Sequence, residues 1–525
     1  MSQQRPNRLT RSQFLRATGT VAAAATAASL VGFPAPPAGA QTPSQGAADP
    51  LLGELDAKIR AGMRDYGIPG VALGMIHEGS TYIKGYGVTN VDYPVPVDGD
   101  TLFRSGSINK TFTGTAAMRL VEQGKLDLDA RVRGYLPHFA TSRPSVARRV
   151  TLRQLLNHTP GWLGEYLEDM GPGDDALARY VERMARLPQL TPLGSTFFYN
   201  NAAIALAGRV IEAATGSTYE EALRELVLDP LGMDHTYFFS DEIVGFNVAA
   251  SHNLVDGKPV VDTSFWHIPR SLNPSGGLIF SVRDLLRHAR FHLGDGRAPD
   301  GTRLLTEESL EAMRSDPGPG GTLNVELDGM GVTWQLRPSA EGVRIVEHGG
   351  DVAGQHAGFF MVPEVGLALG VLTNSESGPR LLTELFDDDW ALTRFAGVSN
   401  PPAEPRALTE SQLAPYEGLY TGQAIGYDGS VTTTEMELKA DKGRLHVTQR
   451  QRVEPALPGF DPSGIAQTGD VPTVEFLLVF YRDDYVIITL ESGDSTFRRA
   501  DFLRGQNGRV EWLRYGGQLH LHQGV

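Results

Sequence analysis

The chain contains no cysteine among its 525 residues. This absence excludes disulfides, thiolate metal sites and a cysteine nucleophile. It does not identify a cellular compartment, because exported proteins can also lack thiols. Positive charge is sparse as well, since no basic block follows the first 16 residues and the formal net charge is −15. We therefore expect no nucleic-acid partner, because phosphates bind to basic patches.

Lysine is also scarce, with 7 copies against 40 arginines. One of the seven, Lys110, stands three residues after Ser107 in the stretch RSGSINKTFTG. With 28 serines in the chain, chance alone comes close to producing one such spacing. The pair therefore needs support from the rest of the sequence.

A hydrophobic content of 41% and a charged content of 21% are typical of a folded soluble protein.

Residues 1–45 are typical of an export signal. Four arginines among the first 16 residues precede an alanine-rich apolar run that is too short to span a bilayer. Ala38-Gly39-Ala40 then offers a small-residue cleavage site. The stretch LTRSQFLRATG resembles a twin-arginine signal, with Ser12 where the second arginine is expected. We expect an exported protein, periplasmic or extracellular, with no stable membrane insertion after signal removal.

The rest of the chain predicts an α+β domain over residues 46–398. It begins with a helical stripe at 51–64 and a hairpin centred on Glu78-Gly79. Helices dominate the middle, and strand patterns return between 343 and 373. This order predicts one sheet whose strands come from both ends of the domain.

The C-terminal part has a different pattern. Residues 399–408 carry three prolines and are predicted to be a linker. Residues 409–525 are short strand runs between turn residues, which predicts a β-barrel or sandwich as a separate domain.

Ser107 lies where a loop meets the start of a predicted helix, and Lys110 lies one turn further on the same face. A serine hydroxyl is a weak nucleophile until a base takes its proton, and a buried neutral lysine can be that base. The neighbours Ile108, Phe112 and Ala116 make burial plausible. On these residues alone, an N-cap serine beside a solvated lysine stays an open alternative.

Two further motifs follow in order, Tyr199-Asn200-Asn201 and His348-Gly349-Gly350. With SINK at Ser107 and Lys110, the chain resembles the penicillin-recognising serine hydrolases, which include class C β-lactamases, D,D-peptidases, D-aminopeptidases and related esterases. The resemblance implies a β-lactamase/transpeptidase-like fold, in which helices flank an antiparallel sheet and a helical subdomain is added. The C-terminal strands are similar to the lipocalin-like barrels that some members append, where the barrel restricts access or builds oligomers.

The resemblance also implies roles for single residues. Ser107 would form an acyl-enzyme, while Lys110 and Tyr199 would share the proton transfer, with a nearby cation favouring a tyrosinate. Asn201 would orient Lys110 and bind the substrate amide. The backbone N–H groups of Ser107 and Asp351 would form the oxyanion hole.

His348, Gly349 and Gly350 would form the substrate-binding edge. Histidine is mostly neutral at pH 7, whereas a β-lactamase needs a fixed cation at this place to hold the drug's carboxylate. We therefore expect an amidase or peptidase of the D-aminopeptidase or D,D-peptidase type. A carboxylesterase, a weak β-lactamase and a non-catalytic ligand-binding protein are the alternatives.

An acidic loop lies between the first two motifs, with five carboxylates: Glu165, Glu168, Asp169, Asp174 and Asp175. The hypothesis is that it overhangs the cleft and favours substrates with a free amine, and a solvated loop is the alternative. We expect a small-molecule or short-peptide substrate and no cofactor, and a homo-oligomer stays open. His288 and His292 share a helix face without a third ligand, so no metal site is expected.

Overall fold

The computed structural model describes residues 49–263, 268–454, 473–490 and 495–524. The predicted export signal lies outside these residues. Asp49–Val525 forms one compact unit. Within the described ranges, no helix combines the length and the apolar character that crossing a bilayer requires.

Helices occupy both flanks of the central sheet and the middle of the chain. Helix α1 begins after the N-cap Asp49, whose carboxylate accepts from the N–H of Leu51 at 2.9 Å, and it ends at Gly67 in the left-handed conformation. The described α-helices are α1 Pro50–Tyr66, α2 Asn109–Glu122, α3 Val132–Tyr135, α4 Pro144–Ala147, α5 Leu152–Leu156, α6 Ala176–Arg183, α7 Asn201–Thr215, α8 Tyr219–Leu223, α9 Asn273–Gly276, α10 Val282–Leu293, α11 Glu307–Ser315, α12 Gly378–Leu382, α13 Trp390–Ala396 and α14 Glu410–Leu413.

Strands fall into a central sheet, small accessory sheets and a barrel. Those before the linker are β1 Gly70–His77, β2 Ser80–Gly87, β3 Leu102–Arg104, β4 Thr236–Tyr237, β5 His252–Val255, β6 Lys258–Val261, β7 Ile279–Ser281, β8 Gly321–Thr322, β9 Glu326–Leu327, β10 Gly329–Met330, β11 Gln335–Arg337, β12 Ile345–Glu347, β13 Gly350–Val352, β14 Gln355–Val362 and β15 Leu367–Thr373. Those after it are β16 Gly418–Ile425, β17 Val431–Asp441, β18 Arg444–Glu454, β19 Val474–Arg482, β20 Tyr485–Thr489, β21 Ser495–Arg504, β22 Val510–Tyr515 and β23 Gln518–His522.

The central sheet has the order β10-β11-β12-β14-β15-β1-β2 among the described residues, with β13 paired to β14. Its neighbours are antiparallel, and β1 lies between β15 and β2. The predicted joining of strands from both ends of the domain is confirmed. The predicted hairpin is confirmed too, since Glu78 and Gly79 both have positive φ, as a tight two-residue turn between twisted strands requires.

Both faces of strand β1 are buried, which explains why nearly all of its residues are apolar. Val71, Leu73 and Met75 pack on the face covered by α1, α12 and α13. Ala72 and Ile76 belong to the larger core on the other face, which includes α10 and α2. Alternate residues of one strand therefore close two cores.

Helix α2 begins two residues after the candidate nucleophile, Ser107, and lies inside the larger core. Thr111 and Thr115 contact the ring nitrogens of His288 and His292 at 3.1 and 3.0 Å. Both histidines are buried, and burial lowers the pKa of His288 to about 3. The two imidazoles thus anchor α10 against α2 as neutral groups.

The strands from β16 to β23 close into an antiparallel eight-stranded barrel in the described part of the chain. Its interior is filled by apolar side chains, among them Tyr420, Met436, Leu445, Phe480 and Val486. The predicted α+β fold followed by an all-β barrel is confirmed. The domain boundaries at 398 and 409 stay a prediction.

We expect the loss of one partner from the buried ion pair between barrel strands β21 and β22 to destabilise the molecule strongly. Arg514 and Asp501 are joined at 2.6 Å and are almost fully buried. Arg514→Met should lower the free energy of unfolding by about 3–5 kcal/mol, because it leaves the carboxylate buried and uncompensated. Lys439→Met is the matched control. It removes an exposed pair with Glu437 and should shift the unfolding midpoint very little, because water screens such a pair. Equal midpoints for the two variants in urea denaturation would contradict this expectation.

Candidate active site

The site begins at a 3₁₀ turn, Gly106–Ile108, which leads directly into α2. Ser107 is half-buried in this turn, and Lys110 follows one turn later. The Lys110 Nζ donates to Ser107 Oγ at 2.9 Å and to the carbonyl of Ser275 at 2.7 Å. The lysine side chain is fully buried. The solvated lysine considered as an alternative is therefore absent from the structure.

Burial sets the chemistry of Lys110, because a charged ammonium loses its hydration inside the protein. Burial lowers the pKa of Lys110 to about 7, and the Glu165 carboxylate opposes the shift in part. A large fraction of the amine is then neutral near pH 7. A neutral amine 2.9 Å from a serine hydroxyl can act as its general base.

The Ser275 carbonyl accepts the hydrogen bond from Lys110, and the segment that carries it is held by Asn109, the neighbour of Lys110 on α2. Asn109 donates to Pro274 O at 3.1 Å and accepts from the N–H of Leu278 at 2.8 Å. The Ser275 hydroxyl bonds in turn to Asn201 O at 3.0 Å. Neither Asn109 nor Ser275 was predicted from the sequence, because holding a neighbouring segment and offering a backbone carbonyl leave no motif of their own.

Tyr199 lies over the same lysine, with Lys110 Nζ 4.9 Å from the ring centroid. Burial raises the pKa of Tyr199, which Ser107 lowers in part. The hydroxyl is buried and makes no hydrogen bond of good geometry among the described residues. The phenol is therefore protonated, which differs from the expected tyrosinate. It can pass a proton on but cannot be the resting base.

His158 supports Tyr199 from the opposite side and was not identified from the sequence. The two rings stack with centroids 4.9 Å apart and an angle of 28°. His158 Nδ1 accepts from the Asn200 N–H at 2.8 Å, and burial lowers its pKa well below the usual value. The backbone of His158 has φ +60, which is unusual for a residue other than glycine and is typical of functional sites.

Asn201 does not contact Lys110, contrary to the role expected for it. Its amide donates to Glu165 Oε2 at 3.0 Å. Burial raises the pKa of Glu165, while Lys110 and Asn201 lower it. Asn201 therefore positions a carboxylate beside the lysine, and its influence on Lys110 passes through Glu165.

The third motif packs directly against the nucleophile turn. A Cβ on Gly350 would lie 2.0 Å from Ser105 O and 3.2 Å from Ser107 N, so only glycine fits there. A Cβ on Gly106 would lie 2.6 Å from Asp351 N. The backbone nitrogens of Ser107 and Asp351 thus border the close approach between β13 and the nucleophile turn, and the oxyanion hole itself stays a prediction.

His348 is neutral in this structure. Burial, with a smaller contribution from Lys110, lowers its pKa to about 3. Its Nδ1 lies 2.6 Å from Gly349 O, and because a carbonyl only accepts, Nδ1 carries the proton. Nε2 is then an acceptor, and it is buried without a partner among the described residues. The motif presents a hydrogen-bond acceptor where a β-lactamase would need a cation.

Asp351 bonds to a histidine that the sequence analysis did not single out. Asp351 Oδ1 lies 2.6 Å from His356 Nδ1, and Glu376 lies 3.6 Å from Nε2. Burial would lower the pKa of His356, but the two carboxylates outweigh it and raise the pKa to about 9. The protonated ring therefore ties β13 to β14 beside the expected oxyanion hole.

These groups border a cavity of about 530 Å³. Ser107, Tyr199, Asn201 and His348 line it, together with residues of the barrel. Only Glu165 from the acidic loop is among its lining residues.

The other acids of that loop are engaged elsewhere. Glu168, Asp174 and Asp175 form ion pairs with arginines, and Asp169 accepts a backbone N–H. The hypothesis that the loop overhangs the cleft therefore narrows to one carboxylate, Glu165.

We expect the reaction of Ser107 with a fluorophosphonate to speed up as the pH rises through about 7 and then to level off. Only the neutral form of Lys110 can take the proton, and its pKa is about 7. Glu165→Gln should move the midpoint to lower pH, because the carboxylate raises the pKa of Lys110. Intact-mass kinetics between pH 5 and 9 measure both. A flat profile, or a midpoint that moves upward in the variant, would contradict the assignment.

Gly350→Ala should slow the same reaction at least about 100-fold, since it pushes β13 away from the nucleophile turn. The matched variant is Gly349→Ala, whose Cβ would meet only Ala357 O at 3.6 Å. We expect the first variant to lower the melting temperature and the second to leave it unchanged. Equal melting temperatures would show that the predicted clash is relieved at no cost.

The chain is similar to known proteins in sequence and in fold. The family model described as Beta-lactamase matches residues 55–392. "Penicillin-binding protein 4" of Amycolatopsis lactamdurans is 36% identical over 361 residues, which is 68% of this chain and 94% of that protein.

Two solved structures are similar over 90% of this chain and 99% of their own. "Crystal structure of SurE with D-Leu" has a TM-score of 0.65 at 25% identity. "Structure of the octameric penicillin-binding protein homologue from Pyrococcus abyssi" has a TM-score of 0.56 at 26% identity. From these matches, the chain belongs to the Beta-lactamase family of serine hydrolases.

Proposed function

We propose that the protein cleaves amide bonds of small or peptidic substrates through an acyl-Ser107 intermediate, as an amidase or peptidase of the D-aminopeptidase or D,D-peptidase type. The observation that carries this proposal is the 2.9 Å contact between Ser107 Oγ and the buried Lys110 amine.

We propose the following acyl-transfer steps. Lys110 takes the Ser107 proton while Oγ bonds to the carbonyl carbon, and the carbonyl oxygen becomes an oxyanion facing the N–H groups of Ser107 and Asp351. The C–N bond then breaks, and the proton reaches the leaving amine through the Tyr199 hydroxyl. Water cleaves the acyl-serine by the same path in reverse.

Of the residues that the structure describes, four acidic ones line the cavity against one cation, Arg498, and this balance supports a substrate that presents N–H groups. His348 Nε2 offers a lone pair, and the carboxylate of Glu165 lines the same cavity. A neutral histidine cannot hold a carboxylate as a fixed cation does. This favours amides and amines over β-lactams with an acidic group.

A preference for a D-configured residue is the finer part of the proposal. It is supported by the D-Leu in the SurE structure, a relative similar over 90% of this chain. Export and a homo-oligomer also remain proposals. The first rests on residues 1–45, and the second is supported by the octameric relative.

The test begins with intact mass after exposure to a fluorophosphonate. We expect one adduct, lost in Ser107→Ala and formed at least about 100-fold more slowly in Lys110→Ala, because the serine then lacks its base. Lys125→Ala is the control for removing a lysine, since Lys125 is exposed on the surface. An adduct rate unaffected by Lys110→Ala would remove the mechanism, and no adduct would favour a non-catalytic binder.

A substrate panel then separates the activities. D- and L-amino acid p-nitroanilides, the matching p-nitrophenyl esters and nitrocefin report amidase, esterase and β-lactamase activity. We expect turnover of a D-amino acid anilide with little hydrolysis of nitrocefin. Turnover of esters without any anilide would replace the amidase proposal with a carboxylesterase.

A further inference from the structure

The last hairpin of the barrel contacts the backbone of Tyr199 on both sides. The Tyr199 N–H donates to Gly517 O at 2.8 Å. The side chain of Gln518 donates to Tyr199 O at 3.2 Å. Gly517 lies in the turn between β22 and β23, and Gln518 is the first residue of β23. Both peptide groups of the tyrosine are therefore held by the barrel rather than by the domain that carries Ser107.

The same hairpin also holds the chain two residues earlier. Arg514 in β22 donates to Phe197 O, and its guanidinium lies 5.4 Å from the Phe197 ring centroid. Asp501 in β21 fixes the arginine through two hydrogen bonds. The segment from 197 to 199 is thus fastened at both ends to one hairpin.

Gly517 lies so close to Tyr199 that a side chain at position 517 would crowd the tyrosine. Its φ is +74, in the left-handed region, and a Cβ there would lie 3.2 Å from Tyr199 Cβ and 2.3 Å from Leu323 Cδ1. The turn therefore needs glycine both for its backbone and for the approach to the tyrosine.

A second part of the barrel holds the residue that faces Lys110. The N–H of Ile425, at the end of β16, donates to Glu165 O at 2.8 Å. Gln518 reaches Glu165 Oε2 at 3.4 Å. One barrel side chain, Gln518, therefore contacts both Tyr199 and the carboxylate that affects the pKa of Lys110.

We propose that the β22–β23 hairpin, through Gly517 and Gln518, positions the Tyr199 hydroxyl for proton transfer, so that the barrel is a part of the catalytic site. Gly517 and Gln518 act as positioning residues. This rests on the proposed function, in which Tyr199 delivers a proton to the leaving amine. A displacement of about 1 Å at such a group can cost on the order of 100-fold in rate.

The test is a double-mutant cycle. Gly517→Ala and Gln518→Met are each made in the natural chain and in the Tyr199→Phe background, and kcat/KM is measured for a p-nitroanilide and for the ester of the same acid. The anilide needs a proton on its leaving group and p-nitrophenolate does not. We expect Gly517→Ala to lower kcat/KM for the anilide at least about tenfold and for the ester less than about threefold. In the Tyr199→Phe background neither variant should lower it further.

Gly508→Ala is the matched control. Its φ is +77 in the turn between β21 and β22, and a Cβ there would meet nothing within 4 Å. It introduces the same backbone strain in the same barrel without approaching the site, so its anilide-to-ester ratio should equal that of the natural chain. If Gly517→Ala does not fold, as judged by its melting curve beside that of Gly508→Ala, the cycle is completed with Gln518→Met.

Equal losses on both substrates, or losses that persist in the Tyr199→Phe background, would overturn the positioning role while leaving the acyl-serine mechanism intact. The rate of the fluorophosphonate adduct is measured for each variant as well, and it reports the reactivity of Ser107 alone because fluoride leaves without a proton. An adduct rate that stays unchanged while anilide turnover falls supports the positioning role, whereas loss of the adduct itself would count against the proposed function.

Discussion

The buried amine of Lys110 is the group to which the surrounding parts of the site are adjusted. An ammonium without water is unfavourable, and this lowers the pKa of Lys110 to about 7 and leaves a base 2.9 Å from Ser107. The groups around this amine therefore contact a side chain that is charged in only part of the molecules near pH 7. Ser275 offers a carbonyl, Tyr199 the ring of a protonated phenol, and Glu165 a carboxylate that Asn201 positions.

This constraint explains why so many uncharged groups surround the pair. His158 and His348 are both neutral, with their pKa values lowered first by burial and then by Lys110. A protonated histidine at either place would repel the ammonium and weaken the tyrosine's position. The protonated histidine is instead His356, whose charge the carboxylates of Asp351 and Glu376 stabilise. The site thus separates a nearly neutral base from a fixed cation beside the expected oxyanion hole.

The barrel extends the same arrangement. Its interior is packed with its own apolar side chains, so its contribution lies on its outside, where turns and strand ends meet Tyr199 and Glu165. Arg514, which is paired with Asp501, donates a hydrogen bond from the barrel to the segment that carries the tyrosine. A substrate entering the cavity therefore meets residues from two regions that are separate in sequence and joined in space.

Local patterns determined much of this protein. Strand alternation and turn residues were sufficient to predict the β1–β2 hairpin and the barrel strands, and helical periodicity was sufficient to predict the helix that follows Ser107. These elements depend on neighbours a few residues apart. The spacing of Ser107 and Lys110 placed both on one helical face, and the motif order pointed to Tyr199 and His348. Only the tertiary structure decided that Asn201 binds Glu165 instead of Lys110, that His158 stacks on Tyr199, and that Gln518 reaches the site from the barrel. These contacts join residues far apart in the chain, and both the burial that shifts a pKa and the direction of a hydrogen bond exist only once those residues are packed together.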